Sequence, residues 1–99
     1  MKTQDVAWSE WLNFNKENIS NTHSKPGVLR MHAAMKILYI GNTENLQNRL
    51  YEALEEPCIC DASRYCYIET SQHEQLKNDL IQEYKEKHDG KLPKCMEEI

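Results

Sequence analysis

The sequence contains few residues that break secondary structure and no long apolar run. Its 99 residues include only 3 glycines and 3 prolines, which excludes a Gly-rich or Pro-rich low-complexity chain. No apolar stretch approaches the roughly 20 residues of a membrane helix, and the N-terminus lacks the basic start and apolar centre of a signal peptide. We therefore expect one small soluble domain over residues 1–99, located in the cytoplasm, with no membrane partner and no small-molecule cofactor.

The chain also lacks an excess of positive charge. Its formal net charge is −4, whereas proteins that grip a nucleic-acid backbone usually present a basic surface. The acidic run "EALEEPCICD" would repel phosphate. Any contact with DNA must therefore be local, and the stretch "SKPGVLRMHAAMK" is where basic residues gather: Lys25, Arg30 and Lys36, with His23 and His32 near them.

The four cysteines are not arranged as the two close pairs that structural zinc sites favour. Without a secretion signal, reduced thiols are the expectation. A zinc-stabilised domain is the alternative. The spacing does not favour it, because one C-x-C pair is followed by two isolated cysteines. The cysteines are Cys58, Cys60, Cys66 and Cys95.

The N-terminal segment carries apolar residues at helical spacing. Trp8, Trp11 and Leu12 would share one face of a helix over about residues 3–19, with Thr3 available as its cap. Two tryptophans so close together usually anchor a helix to the core. An exposed platform for stacking bases is the alternative.

Three segments read as strands. "GVLRMH" and "KILYIG" are close enough to pair as an antiparallel hairpin, with Leu29 and Met31 on the opposite face from Val28. "RYCYIET" gives the third strand, in which Tyr65 and Tyr67 share a face. That tyrosine pair fits a cross-strand cluster in the core better than a base-stacking surface.

Two helices complete the pattern. The first is predicted over about residues 44–55, capped by Asn42 or Thr43 and stopped by Pro57. The second opens with Ser71 and Glu74 at capping-box spacing and ends by Gly90, before a short tail that covers the core. The hairpin favours an α+β fold: a small three-stranded antiparallel sheet flanked by helices, with an extra N-terminal helix.

Set side by side, "PGVL", "LYIGNTENLQNRL" and "LKNDLIQEYKEKHDGKLP" resemble the three motifs of the GIY-YIG nuclease family, over roughly residues 26–96. That family's fold is a small antiparallel sheet with flanking helices, in agreement with the order of elements above. Three positions depart from the family pattern: Leu29 replaces the first-motif tyrosine, Lys77 the metal-binding glutamate, and Met96 an asparagine. The matching residues are Gly27, Val28, Tyr39, Ile40, Gly41 and Arg49.

The resemblance implies a division of chemical roles. Arg49 would steady charge on the phosphoryl group and Tyr39 would stand beside it as the second catalytic position, while Gly27 and Gly41 shape the motifs. Leu29 cannot take a proton, and a protonated Lys77 would repel Mg²⁺ or Mn²⁺. Phosphate contacts would come from Arg49, Lys25, Arg30 and Lys77.

Substitutes for the lost groups are available in principle. Glu74, one turn before Lys77, could reach a displaced metal ion, although a capping role suits it better. His32 or His23 could act as a base, although a single histidine near a strand end is usually a surface residue. The residues around Arg49 that are often basic in the family are here Asn42, Glu44 and Gln47.

Three functions follow. The favoured one is a divergent, catalytically impaired nuclease-like domain that keeps a phosphate- or DNA-directed surface. The second is an active Mg²⁺- or Mn²⁺-dependent DNA endonuclease that uses a relocated carboxylate. The third is a protein-interaction module or a zinc-stabilised domain, so the partner would be DNA or another protein.

Overall fold

The strands form one antiparallel sheet with helices on both faces. The computed structural model describes residues 8–34 and 36–97. The strands lie in the order β1-β4-β2-β3, so the predicted α+β fold is confirmed, and the one addition is a two-residue edge strand. In chain order the elements are β1 (Leu12–Asn13), α1 (Lys16–Ser20), β2 (Gly27–Ala33), β3 (Lys36–Thr43), α2 (Leu46–Ala53), a 3₁₀ turn (Ile59–Asp61), β4 (Arg64–Glu69), α3 (His73–Lys87) and α4 (Lys94–Glu97).

The predicted hairpin is formed by β2 and β3. Its pairing runs from Gly27 opposite Thr43 to Ala33 opposite Lys36. The register shifts near Met31, which leaves Leu38 without a partner in β2. This bulge turns Leu38 and its neighbour Tyr39 toward the same core.

The sheet separates two hydrophobic cores, as strand alternation predicts. The α2 face of the sheet carries Leu29, Met31 and Tyr65, which pack against α1, α2 and α4. The α3 face carries Val28, Ile40 and Ile68, which pack against α3. Residues of opposite parity in β2 and β4 therefore serve different cores.

The tyrosine pair of β4 belongs to the core. Tyr65 is fully buried, and its hydroxyl lies 2.8 Å from the hydroxyl of Thr22. The Tyr65 and Tyr67 rings stack with their centroids 6.3 Å apart. Both tyrosines therefore belong to the core on the α2 face of the sheet, as the sequence favours over a base-stacking surface.

The predicted N-terminal helix over residues 3–19 is wrong for residues 8–15, while Thr3 lies outside the described residues. Ser9 donates its backbone N–H to the carbonyl of Tyr67 at 2.9 Å, and Leu12 pairs with Tyr65. This segment pairs with the edge of β4 as a strand. The backbone N–H and C=O groups of that edge thereby gain hydrogen-bond partners, and this outweighs the helical spacing of Trp8 and Trp11. A helix begins only at Lys16, where the Asn15 side chain accepts the backbone N–H of Asn18.

The two predicted helices are present with shorter bounds. Helix α2 is capped by Asn45, whose side chain accepts the backbone N–H of Asn48. The predicted capping box of Ser71 and Glu74 is wrong, because α3 begins at His73 after Gln72 and has no side-chain cap. In the described part of the chain, no helix is both long and apolar enough to cross a membrane.

Reduced thiols are the wrong expectation for two cysteines. Cys58 and Cys95 form a disulfide across 37 residues, with their Cα atoms 5.6 Å apart. The tail does cover the core as expected, and α4 brings Cys95 to the 3₁₀ turn, a proximity that sequence spacing does not reveal. Disulfide sulfurs offer no thiolates to zinc, and the remaining cysteines differ in environment: Cys60 is exposed and Cys66 is buried.

Candidate functional site

Tyr39 of β3 and Arg49 of α2 are in contact on the α2 face of the sheet. Helix α2 places the arginine, whose Nη2 lies 3.2 Å from the Tyr39 hydroxyl. A Cβ atom at Gly41 would lie only 2.3 Å from that hydroxyl oxygen. Glycine at position 41 therefore leaves the space in which the Tyr39 ring lies, which is a physical reason for the Y-I-G spacing.

The Arg49 guanidinium is bound by a carboxylate from its own chain. Its Nη1 and Nη2 donate to Glu56 Oε2 and Oε1 at 2.5 and 3.1 Å, and Glu52 lies 3.8 Å away. Burial opposes the charge, yet hydrogen bonds to Glu56 and Tyr39 raise the pKa of Arg49 above its ordinary value. The arginine is therefore a fixed cation, and both of its terminal nitrogens already donate to Glu56.

These groups open onto a cleft of about 680 Å³. It holds two cations, Arg49 and Lys94, and two acids, Glu56 and Asp61. The disulfide forms part of its wall. The complete lining is Tyr39, Arg49, Glu56, Pro57, Cys58, Ile59, Asp61, Lys94 and Cys95.

Leu29 and Gly27 belong to β2, the strand next to β3, which carries Tyr39. Leu29 is 0% exposed and lies between Gly41 on β3 and Tyr67 on β4. It offers the site no group that can exchange a proton. A Cβ at Gly27 would lie 2.1 Å from the carbonyl oxygen of Ile68, so the glycine allows β2 and β4 to approach.

The residues predicted at the metal position lie on α3. Leu76 and Leu80 pack α3 against the face opposite to that of α2, and Lys77 beside them is half-buried. Glu74 is exposed. The structure therefore does not bring Lys77 or Glu74 into the polar contacts that Tyr39, Glu52 and Glu56 make with Arg49.

The donor set does not fit the divalent cation that the resemblance implies. An ammonium at position 77 cannot coordinate Mg²⁺, and both oxygens of Glu56 already accept hydrogen bonds from Arg49. Among residues 8–34 and 36–97, no group of three His, Cys, Asp or Glu side chains is placed to hold a metal ion.

His73 is a buried polar residue beside the turn after Gly41 that the sequence analysis missed. It is buried at the start of α3, where the Asn42 amide donates to its Nδ1 at 2.8 Å and its Nε2 lies 3.2 Å from Glu44 Oε1. Asn42 and Glu44 lie within three residues after Gly41. The histidine therefore connects the turn after the Y-I-G segment to α3. His73 lies one helical turn before Lys77 and shares the buried face of α3 with Leu76. This helical spacing could have identified it from the sequence.

The basic stretch around residues 23–36 does not act as one patch. The Arg30 guanidinium lies 3.9 Å from the Trp8 ring centroid and 5.0 Å from that of Trp11. His32 packs against Trp11, while His23 bonds Glu69 at 2.8 Å. Lys25 is exposed. Phosphate contacts by Arg30 and Lys25 stay predictions, and the two tryptophans serve to cover Arg30.

Beneath Arg30 lies the second free thiol of the chain. Burial raises the pKa of Cys66, and the Arg30 guanidinium opposes that shift. Because the thiol stays protonated at neutral pH, Cys66 acts as a small core residue rather than as a nucleophile.

Comparison with known proteins supports the fold. The sequence matches no protein-family profile and no curated protein. Two solved structures match with 23% identity and a TM-score of 0.55, over 82% of this chain and 97% of theirs. Both are the N-terminal GIY-YIG endonuclease domain of UvrC from Thermotoga maritima, as tyrosine-to-phenylalanine point mutants bound to the catalytic divalent cation. The present chain therefore has a GIY-YIG-like fold.

Proposed function

We propose that this chain is a divergent GIY-YIG-like domain that has lost phosphodiester cleavage and keeps an arginine cleft directed at phosphate. The observation that carries the proposal is the guanidinium of Arg49, which retains its tyrosine neighbour but is bound by Glu56. DNA is the partner that this chemistry favours, because the fork of an arginine matches phosphate oxygens as well as carboxylate oxygens.

The loss of cleavage follows from what hydrolysis needs. A phosphodiester is cut when a water is activated, charge on the phosphoryl oxygens is neutralised and the leaving oxygen is assisted. Arg49 can serve the second need only. Buried Leu29 cannot help a water, and Lys77 brings a positive charge to the position where the family binds its cation.

Binding of phosphate is supported by the geometry of the Arg49–Glu56 pair. Glu56 accepts two parallel hydrogen bonds, an arrangement that a phosphodiester can reproduce. Glu56 is 39% exposed and follows the end of α2, so the carboxylate lies at the rim of the cleft and not beneath it. A phosphate that enters the cleft would therefore compete with Glu56 for the same nitrogen atoms.

A cleavage and binding experiment tests the proposal. Supercoiled plasmid is incubated with the purified chain and Mg²⁺ or Mn²⁺, and we expect it to remain supercoiled. On a heparin column, we expect retention that is lost at moderate salt and weakened in Arg49→Ala. Nicking that disappears in Arg49→Ala would contradict the loss of cleavage, and flow-through on heparin would favour a protein partner.

The active endonuclease remains the second candidate because carboxylates do lie beside Arg49. Glu52 and Glu56 are within 4 Å of the guanidinium, and Asp61 lines the same cleft. If one of them had taken over the role of the lost glutamate, wild type would nick the plasmid and one of Glu52→Gln, Glu56→Gln and Asp61→Asn would abolish the nicking. Our proposal instead expects no nicking either with or without these substitutions.

A further inference from the structure

The Arg49–Glu56 pair is connected to the disulfide through a short stretch of chain. Glu56 lies two residues before Cys58, and Cys58 is bonded to Cys95 on α4. Cys95 is buried in the same core as Leu46 and Leu50 of α2. The disulfide therefore fixes the segment that carries Glu56 to an element that is 37 residues away in sequence.

The backbone of this segment depends on such a constraint. Cys58 has a φ of 73°, in the left-handed region that non-glycine residues rarely adopt. The backbone hydrogen bonds around it are local, such as Glu56 N–H to Ala53 O at 3.2 Å and Cys60 N–H to Glu56 O at 3.0 Å. A conformation of this kind persists only where its surroundings hold it in place.

The disulfide is also open to reagents. Cys58 is half-buried and lines the cleft, whereas Cys95 is buried. Both cysteines line the cleft and Cys58 is the more exposed residue of the two, so we take its sulfur as the point of attack for a thiolate that enters the cleft. Attack by a thiolate on an accessible sulfur is the step by which disulfides are reduced.

We propose that the Cys58–Cys95 disulfide controls phosphate binding by holding Glu56 on Arg49, and that its reduction by a dithiol frees the guanidinium for a phosphodiester. This inference rests on the proposed function, because it concerns the regulation of the same cleft. In the oxidised chain the carboxylate blocks the fork of Arg49; in the reduced chain the segment around Glu56 is free to move away.

The exchange balances as two thiol–disulfide steps. One thiolate of the dithiol attacks Cys58 Sγ and displaces Cys95 as a thiolate, which takes up a proton. The second thiol of the reagent, as its thiolate, attacks the mixed disulfide and releases Cys58, which is then protonated. Two electrons pass from the dithiol to the cystine, and the reagent leaves as a cyclic disulfide.

The test measures binding of a short fluorescein-labelled DNA duplex by anisotropy at low salt, with the oxidised chain and with the chain reduced by dithiothreitol. We expect reduction to strengthen binding about fivefold, the scale of one partly exposed ion pair. Glu56→Gln should bind like the reduced chain in both conditions. Arg49→Ala should bind weakly in both.

Two matched controls distinguish the effect of the Arg49–Glu56 pair from the loss of any negative charge and from the chemistry of any free thiol. Glu55→Gln removes the same charge from the adjacent exposed residue and should keep the full redox dependence. Cys60→Ser removes the exposed free thiol and should keep it as well. Cys95→Ser should bind like the reduced chain without dithiothreitol.

The outcomes distinguish this inference from the function on which it rests. Equal, Arg49-dependent binding by the oxidised and reduced chains overturns the disulfide control and leaves the function in place. Circular dichroism that shows unfolding on reduction also overturns the control, and Glu56→Gln in the oxidised state then still tests the function. Absence of binding in every form, including Glu56→Gln, overturns both.

Discussion

Both terminal nitrogens of Arg49 donate hydrogen bonds to the carboxylate of Glu56, seven residues further along the chain. Arg49 is only 17% exposed, so the pair is partly shielded from water. The carboxylate therefore neutralises part of the positive charge that Arg49 brings to the cleft.

The Arg49–Glu56 pair should contribute to stability. Glu56→Gln keeps the shape of the side chain but removes its charge, and we expect the free energy of unfolding to fall by about 1 kcal/mol. Glu55→Gln serves as the control and should change it by less than about 0.5 kcal/mol. Urea denaturation of both variants measures the difference, and equal values would show that the pair has no net effect.

Gly27 and Gly90 should differ in how much stability an alanine costs. A Cβ at position 27 would lie 2.1 Å from a backbone oxygen of β4, so Gly27→Ala must move a strand and should cost about 3 kcal/mol. Gly90 has open space around it but a φ of 83°, so Gly90→Ala should cost about 1 kcal/mol. Thermal unfolding ranks the two, and the reverse order would contradict this reading of the β2–β4 contact.

His32 should make stability depend on pH. Burial, with Arg64 and Arg30 nearby, lowers the pKa of His32 below its ordinary 6.5. Between the lowered value and 6.5 the unfolded chain binds more protons than the folded one, so this contribution is complete above pH 6.5 and is lost as the pH falls. The unfolding free energy of wild type minus that of His32→Phe should therefore fall as the pH is lowered from 8 to 5, and parallel curves would contradict the assignment.

If the proposed loss of cleavage holds, one change should not restore it. Lys77→Glu returns a carboxylate to α3, but we expect no plasmid cleavage from it, because Leu29 still supplies no hydroxyl. Any cleavage should require Leu29→Tyr in addition, at a cost of about 1–3 kcal/mol, since position 29 is fully buried. Cleavage by Lys77→Glu alone would show that the metal ligand is the group that limits activity.

Local patterns predicted much of the fold and the centre of the site. Alternation in β2 correctly assigned Leu29 and Val28 to different cores, and the short connection predicted the hairpin. These features depend on residues within about one strand of each other, where periodicity carries the information. The resemblance to the GIY-YIG family implied Tyr39 and Arg49 as site residues, and the two side chains are in contact.

Features that depend on distant parts of the chain were not visible in the sequence. Helical spacing of Trp8 and Trp11 was overridden by the free edge of β4, which only the folded sheet presents. The disulfide joins Cys58 to a residue on the last helix, and no spacing rule indicates that contact. Glu56 lay beyond the family motif, in a turn after α2 whose direction is fixed by packing.

The most direct test of the central claim is a plasmid assay with Mg²⁺ or Mn²⁺ on the reduced wild-type chain and on the reduced Glu56→Gln variant. The wild type keeps every carboxylate that could hold a metal ion, and the variant leaves the Arg49 fork free of its carboxylate. We predict that the supercoiled plasmid stays intact with both proteins. Nicking by either protein that is absent when Arg49→Ala is added would contradict the account.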